Sequence, residues 1–481
     1  MLPGAAPAPI VQPAPAGAPW IPAAVAKLDA DLDAMLSTAA ALHGAHYGVL
    51  AVDAASGEVL YDHAGNDEFQ PASTLKLVVG SAALDEIGPG QHYHTEVRSL
   101  GRGRTLVLAG GGDPTLTAAD LDSAARAIAA NGQRTYDEVI VDGSHFDGVP
   151  YPDGWTWDDF GQDYAPIVSA LPYQENLVHL HVTPGTIGGP ALVTTSDAAK
   201  VLAQSAPCDG AHVALPSIES FATTGPSGST DTIDVAPVLD GCPRLIGSIP
   251  AGAAEEEIDV SVEPHLYARA AFVKALHAAG IAVSDDAPPR DYTGPGAVVV
   301  WQRDSPPLSE LLGPRFWIPS DNLFGELLLK ELGSAENHAP GTTQSGIVVE
   351  KAWLSSIGVD PATVTLADGC GMSQYDRITP RDLVTILQHD WNGPSRQLVL
   401  DSLPVGGARG TIEGIAGTPA AGRVFAKTGS MMHVRGLAGY LAPQQHGAVT
   451  FAFNVDDWNG DYPSLAALRA QVLSRIVADG T

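Results

Sequence analysis

Three short strings, far apart along this chain, make chemical sense only if the fold brings them together: Ser73-Thr74-Leu75-Lys76, Ser320-Asp321-Asn322 and Lys427-Thr428-Gly429. The first sets a hydroxyl and an amine three residues apart, on one face of a helix. The second offers a hydroxyl and an amide, and the third a cation on what reads as a strand edge. The chain holds only seven lysines, and two of them lie in these strings. Ser-x-x-Lys alone recurs by chance in chains of this length. All three in this order are a strong signal. They require the two ends of the chain to share one domain, with the intervening residues inserted into it.

Local patterns agree with that requirement. Gly48–Val52 and Glu58–Tyr61 read as strands joined by a turn at Ser56-Gly57. A helix begins near Pro71-Ala72-Ser73, runs through Leu75, Val78, Val79 and Leu84, and stops at Gly88-Pro89-Gly90. Ser73 is thus expected at a helix N-terminus. At the far end, Val424–Lys427, Val434–Tyr440 and Val449–Val455 read as strands, the last alternating Val449, Phe451, Phe453 and Val455. Asp461-Tyr462-Pro463-Ser464 opens a helix carrying Leu465, Leu468, Val472 and Ile476 on one side. The expected fold is α/β (α+β), one antiparallel sheet built from both chain ends with helices packed on it. The interval from Ser73 to Ser320 is about half of the chain, too long for a loop. It has strands of its own at Thr105–Leu108 and Glu138–Val141, and helices at Ala118–Ala130 and Pro264–Ala279.

Composition narrows the classes. At 481 residues, two or three domains are expected. Acidic residues number 55 against 25 basic, a formal charge of −30, which argues against nucleic acid and against docking on anionic lipid. Residues Met1 to Ala24 are rich in Pro and Ala without the pattern of a signal peptide, and read either as a flexible stalk on a chain lacking its export segment or as the Pro-rich tail of a cytosolic protein. No stretch approaches the roughly 20 apolar residues of a membrane span. Cys208-Asp-Gly and Gly-Cys242-Pro lie in turn-like stretches, so an exported chain can pair them, leaving Cys370 alone. Two unpaired thiols are the alternative.

With these motifs placed, the chain resembles the class C low-molecular-mass penicillin-binding proteins, the D-alanyl-D-alanine carboxypeptidase and endopeptidase group. The likeness runs from about Tyr47 to the C-terminus. Gly111-Gly112-Asp113-Pro114-Thr115-Leu116 is similar to an element leading into that group's nested insertion. Trp157-Asp158-Asp159, Val168-Ser169-Ala170-Leu171 and Glu175-Asn176 resemble a signature inside it. Asp368-Gly369-Cys370-Gly371-Met372-Ser373 stands where the family commonly has Asp-Gly-Ser-Gly-Leu-Ser, and the departures at Cys370 and Met372 are expected to alter substrate contact. The resemblance implies a transpeptidase/β-lactamase-like catalytic domain at 25–93 and 307–481 after the 1–24 stalk. It further implies an inserted domain at 94–117 and 186–306, and a nested third at 118–185.

The chemistry implied is acyl transfer. Ser73 is the nucleophile and Lys76 its base, which must be neutral to act; burial and a second cation, Lys427, both disfavour the ammonium. The resemblance offers the backbone N–H groups of Ser73 and Ser430 to the oxyanion, with Ser320 relaying a proton to the leaving amine and Asn322 holding the peptide amide. Lys427, Thr428, Gly429 and Ser430 then form the wall that receives a terminal carboxylate. The expected partners are peptidoglycan stem peptides, with β-lactams as inhibitors, acting outside the cytoplasm; the oligomeric state is left open. A β-lactamase or esterase is the enzyme alternative, and a non-catalytic wall-binding scaffold the alternative from another class. No cofactor or metal is assigned: His92 with His94, and His179 with His181, have a spacing zinc can use, but no carboxylate or cysteine nearby in sequence completes a set. Gly110-Gly111-Gly112 reads as a turn.

Overall fold

The computed structural model describes residues 7–100, 103–203, 215–237, 242–283, 297–337, 340–412 and 414–478. Within these, the chain divides into two units, one of residues 1–91, 307–336 and 343–481, the other of 92–306 and 337–342.

The first unit is built on a five-stranded sheet in the order Val424–Met431, Val434–Leu441, Val449–Asp456, His46–Asp53, Val59–His63. Every neighbouring pair is antiparallel. The chain ends therefore meet in the middle of the sheet, where His46 pairs with Asp456 and Val52 with Thr450. On one face, Val449, Phe451, Phe453 and Val455 join Leu28, Leu32 and Leu36 of the helix Pro22–Ser37 and Leu465, Val472 and Ile476 of the helix Tyr462–Val477 in one core. The opposite face carries Thr450 and Asn454. Both are fully buried, because the helix Pro380–Asn392 covers that side, its Leu387 carbonyl accepting from the Tyr440 hydroxyl at 2.7 Å.

The Pro/Ala-rich start is not a free stalk over its described part. The Val11 N–H donates to Gly422 at 2.8 Å, the Ala18 N–H to Gln445 at 2.9 Å, and the Ala448 N–H to Ala14 at 2.9 Å. Trp20 is buried and stacks on His446 with ring centroids 3.8 Å apart. Extended Pro/Ala chain keeps its backbone donors for other segments, so one composition serves a solvated stalk and a docked strap alike.

The second unit contains a four-stranded sheet, Val298–Asp304, His94–Leu100, Thr105–Gly111 and Glu138–Asp142, together with smaller sheets. Segment 118–185 does not close on itself as the nested boundary required. Its strand Glu138–Asp142 pairs parallel with Thr105–Gly111. Leu121 and Ile128 of the helix Ala118–Ala130 share a core with Phe272 and Leu276 of the helix Pro264–Ala278. The Gly-Asp-Pro-Thr-Leu element is a turn in which buried Asp113 accepts the Thr115 N–H at 2.9 Å and pairs with Arg303. Cys208 lies outside the described residues, and with it the expected pairing to Cys242; Cys370 is a free, buried thiol.

Replacing Trp20 with Ala is expected to lower the unfolding free energy by about 3 kcal/mol, as for other buried aromatic truncations. Urea unfolding of the two proteins checks this; an unchanged midpoint would mean the strap carries no stability.

Candidate active site

Ser73 sits in a tight 3-10 turn, Ala72–Leu75, that runs directly into the helix Lys76–Glu86. The turn is held by the Pro71 carbonyl, which accepts the Thr74 hydroxyl at 2.6 Å, and Ala72 takes a left-handed φ of 45°. Two glycines let other segments press against it. A Cβ on Gly429 would stand 2.6 Å from the Pro71 oxygen and 3.2 Å from the Ser73 nitrogen. One on Gly371, whose φ is +87°, would stand 2.0 Å from the Ala72 oxygen. The turn is therefore clamped between the Lys427 strand and the loop around residue 370.

Lys76 is wholly buried. Its Nζ donates to Ser73 Oγ at 3.0 Å, Asn322 Oδ1 at 2.6 Å and the Cys370 carbonyl at 2.8 Å. The Lys76 carbonyl in turn accepts the Trp317 indole N–H at 2.9 Å, fixing the helix start. The second lysine makes a parallel pair: Lys427, also wholly buried, donates to Ser320 Oγ at 2.8 Å and to the Thr428 carbonyl at 2.9 Å. Ser320 is held at φ 66°, a strained conformation of the kind that collects at functional sites. Asp321 serves the helix start: its Oδ1 accepts the Phe324 N–H at 2.9 Å and caps the helix Asn322–Asn337. The Thr428 hydroxyl meets the Thr411 hydroxyl at 2.6 Å, and Ser430 lies exposed on the same strand opposite Arg435.

The structure therefore brings Ser73, Lys76 and Asn322 into one hydrogen-bonded group and Lys427 with Ser320 into another, with Gly429 against the Ser73 nitrogen. Burial holds both amines below the usual lysine range. The depression is greater for Lys427, whose charged neighbour is the like-charged Lys76. For Lys76 the Cys370 thiol, Asp368, Asp321 and Glu326 pull back toward the ammonium. Two buried amines that repel each other do not titrate independently, so charge gained by one favours the neutral form of the other.

Several participants were not read from sequence. The Cys370 carbonyl that accepts from Lys76 has no side-chain signature. Thr411 carried no signal. Cys370 and Met372 also behave differently from expectation. The Cys370 thiol is turned away from the substrate side and fully buried beside Asp368, with Sγ 3.6 Å from Oδ2. Of the two side chains, that of Met372 touches the expected site, its sulfur 3.1 Å from the Asn322 amide nitrogen. Beneath the site, Glu326 is fully buried. It lies four residues beyond Asn322 in an otherwise Leu-rich helix, a spacing that was available as a clue.

As to metals, the sequence reading found no carboxylate near the paired histidines. The fold supplies them: His181 lies across from Glu257, and its Nδ1 is 3.0 Å from Glu255, while His179 pairs with Asp259. These exposed groups already satisfy one another as ion pairs. Under the active site, Glu326 accepts the Gly369 N–H and Asp368 the Gly371 and Ser373 N–H groups.

Comparison with known proteins gives a consistent result. A family model described as the D-Ala-D-Ala carboxypeptidase 3 (S13) family matches residues 28–473. A D-alanyl-D-alanine carboxypeptidase of Actinomadura sp. (strain R39) is 34% identical over 466 residues, covering 92% of this chain and 83% of that protein. D-alanyl-D-alanine carboxypeptidase DacB of Haemophilus influenzae is 22% identical over 442 residues, 88% of each chain. The crystal structure of penicillin binding protein 4 (dacB) from Haemophilus influenzae is similar in fold, with a TM-score of 0.79 at 21% identity, covering 93% of this chain and 99% of that one.

The Gly429 contact yields a test. Gly429→Ala is expected to leave the protein folded and to slow acylation of Ser73 by about 100-fold, because a methyl there displaces the turn by a large fraction of an ångström. Stopped-flow acylation rates on both proteins read this; an unchanged rate would show that the close approach is immaterial to the chemistry.

Proposed function

The chain belongs to the D-Ala-D-Ala carboxypeptidase 3 (S13) family, and from that premise we propose that it is a serine D-alanyl-D-alanine carboxypeptidase of the class C penicillin-binding type, cleaving peptidoglycan stem peptides through an acyl-enzyme on Ser73. The observation that carries the site assignment is the 3.0 Å contact between Ser73 Oγ and a Lys76 amine with no access to water. A neutral Lys76 accepts the Ser73 proton as Oγ bonds to the carbonyl carbon of the penultimate D-alanine. The oxyanion faces the backbone N–H groups of Ser73 and Ser430, the first at the positive end of its helix. The tetrahedral intermediate then expels the terminal D-alanine amine, which takes a proton by way of Ser320, whose hydroxyl bonds Lys427. Water enters, the ester breaks, and Ser73 regains its proton.

Electrostatics gives the substrate a part in this. The terminal carboxylate is received by Lys427, Thr428 and Ser430. An anion beside Lys427 favours its ammonium form, and repulsion between the two amines then favours neutral Lys76. The site is thus best prepared for proton transfer when the carboxylate is in place. Asn322 holds the substrate's peptide amide while its Oδ1 keeps Lys76 aimed at Ser73. Endopeptidase cleavage uses the same steps with a larger amine leaving. β-Lactams acylate the same serine. The place of action is outside the cytoplasm, where peptidoglycan is; among the described residues no helix is long and apolar enough to cross a membrane.

Intact-mass spectrometry after incubation with benzylpenicillin is expected to show one persistent adduct on the wild type and none on Ser73→Ala. No adduct with the drug intact would end the proposal in favour of a wall-binding scaffold, and no adduct with the drug hydrolysed would point to a β-lactamase. The pH profile of acylation supplies a second check. Because burial lowers the Lys76 amine, acylation is expected to reach its full rate at a lower pH than a free lysine would require and to fall as acidification protonates that amine. Full activity only above about pH 10, the range of a free lysine, would remove Lys76 as the base.

A further inference from the structure

Directly beneath Lys76 lies a carboxyl group that the mechanism above does not use. Glu326 is fully buried on the helix Asn322–Asn337, one turn beyond Asn322. Its Oε1 accepts the Gly369 N–H at 2.9 Å and the Cys370 thiol is the other donor at the carboxyl, while Oε2 has no N–H or O–H donor among the described residues. The neighbouring acid is better supplied: Asp368 accepts the Gly371 N–H at 2.6 Å and the Ser373 N–H at 2.7 Å. The acidic oxygens of both, with the Cys370 sulfur, lie within 4.8 Å of one another. Cys370 is also the residue whose carbonyl holds Lys76 Nζ at 2.8 Å.

We propose that Glu326 is a positioning residue for Lys76: it stays protonated and uncharged at neutral pH, ties down the loop that carries the Cys370 carbonyl, and withholds from Lys76 the nearby negative charge that would fix it as an ammonium. The argument rests first on donors. Of two adjacent buried acids, a proton costs least on the one with fewer N–H donors, and that is Glu326. The groups facing it are Lys330 on its own helix, Asp368 and Cys370 on the loop, Glu350 on the helix Thr343–Ser356, and Lys76. Asp376 joins through Asp368. In accord with this, burial and the neighbouring Asp368 push the Glu326 carboxyl up to about 8. When Glu326 ionises, its charge raises the Lys76 amine and returns it toward the unreactive form. The inference rests on Lys76 being the base for Ser73.

Glu326→Gln copies the protonated acid, keeping an acceptor for the Gly369 N–H and an uncharged side chain. Benzylpenicillin acylation rates of the two proteins across pH are expected to coincide below about pH 7 and to part above about pH 8, where wild-type Glu326 ionises. There Glu326→Gln should be several-fold faster, because the ionised Glu326 of the wild type returns part of Lys76 to its ammonium form. A variant slower by one factor at every pH would overturn the proposal, since a merely structural carboxyl gives that result. If the variant does not fold, infrared difference spectra of the wild type decide. A carboxylic-acid band lost near pH 8, with a midpoint that moves when Ser73 is acylated, supports the proposal, and a band indifferent to acylation overturns it. A wild type that benzylpenicillin never acylates would instead remove the reading on which the inference stands.

Discussion

An amine with no path to water needs every one of its hydrogens placed, and the catalytic unit is arranged around that demand. Lys76 meets it with acceptors from three distant parts of the chain: Ser73 beside it, Asn322 at a helix start, and the carbonyl of Cys370 in a loop. None of these can be lost cheaply, because a buried donor left unsatisfied costs on the order of 1–3 kcal/mol. The need to gather them explains features that otherwise look unrelated. Gly371 must have no side chain for the loop to reach Ala72, and Gly429 none for the strand to reach the turn. Trp317 must anchor the helix start. The central pairing of His46–Asp53 with Val449–Asp456 brings the first and last elements into one sheet, and so brings the Ser73 turn to the Lys427 strand.

What could be read from sequence follows the range of each interaction. Ser73 with Lys76, and Asp321 as a cap, are local relations within three residues, and both were legible as patterns. The strands at 449–455 and 434–440 were legible because an apolar strand period is local as well. The relation of His181 to Glu255 was not, since it depends on which strands pair. The burial of Thr450 and Asn454 was not legible, because it is decided by the helix Pro380–Asn392. The nested boundary at 118–185 failed for a similar reason: the Glu138–Asp142 strand belongs to a sheet whose other members come from outside that segment. The Cys370 carbonyl was invisible, since every residue has one. Glu326 was visible in principle, an acid four residues beyond Asn322 in a helix rich in leucine.

The buried acids of this unit also have a bearing on folding itself. Glu326 is pushed up to about 8 and Asp390, bonded to Ser81, to about 7, while Glu350 and Asp376 are raised well above their ordinary values by burial and neighbouring acids. In the unfolded chain the same groups lose their protons near 4. Between these limits the folded protein holds protons that the unfolded chain has released, so its stability from this source is complete only below about pH 4 and drains away as the pH climbs from there toward 8. The two depressed lysines work in the opposite sense at higher pH, where the unfolded chain is the one that binds more protons. For these carboxyls, folding is a proton-uptake reaction, and a medium that turns alkaline loosens the catalytic unit through the acids packed around its active site.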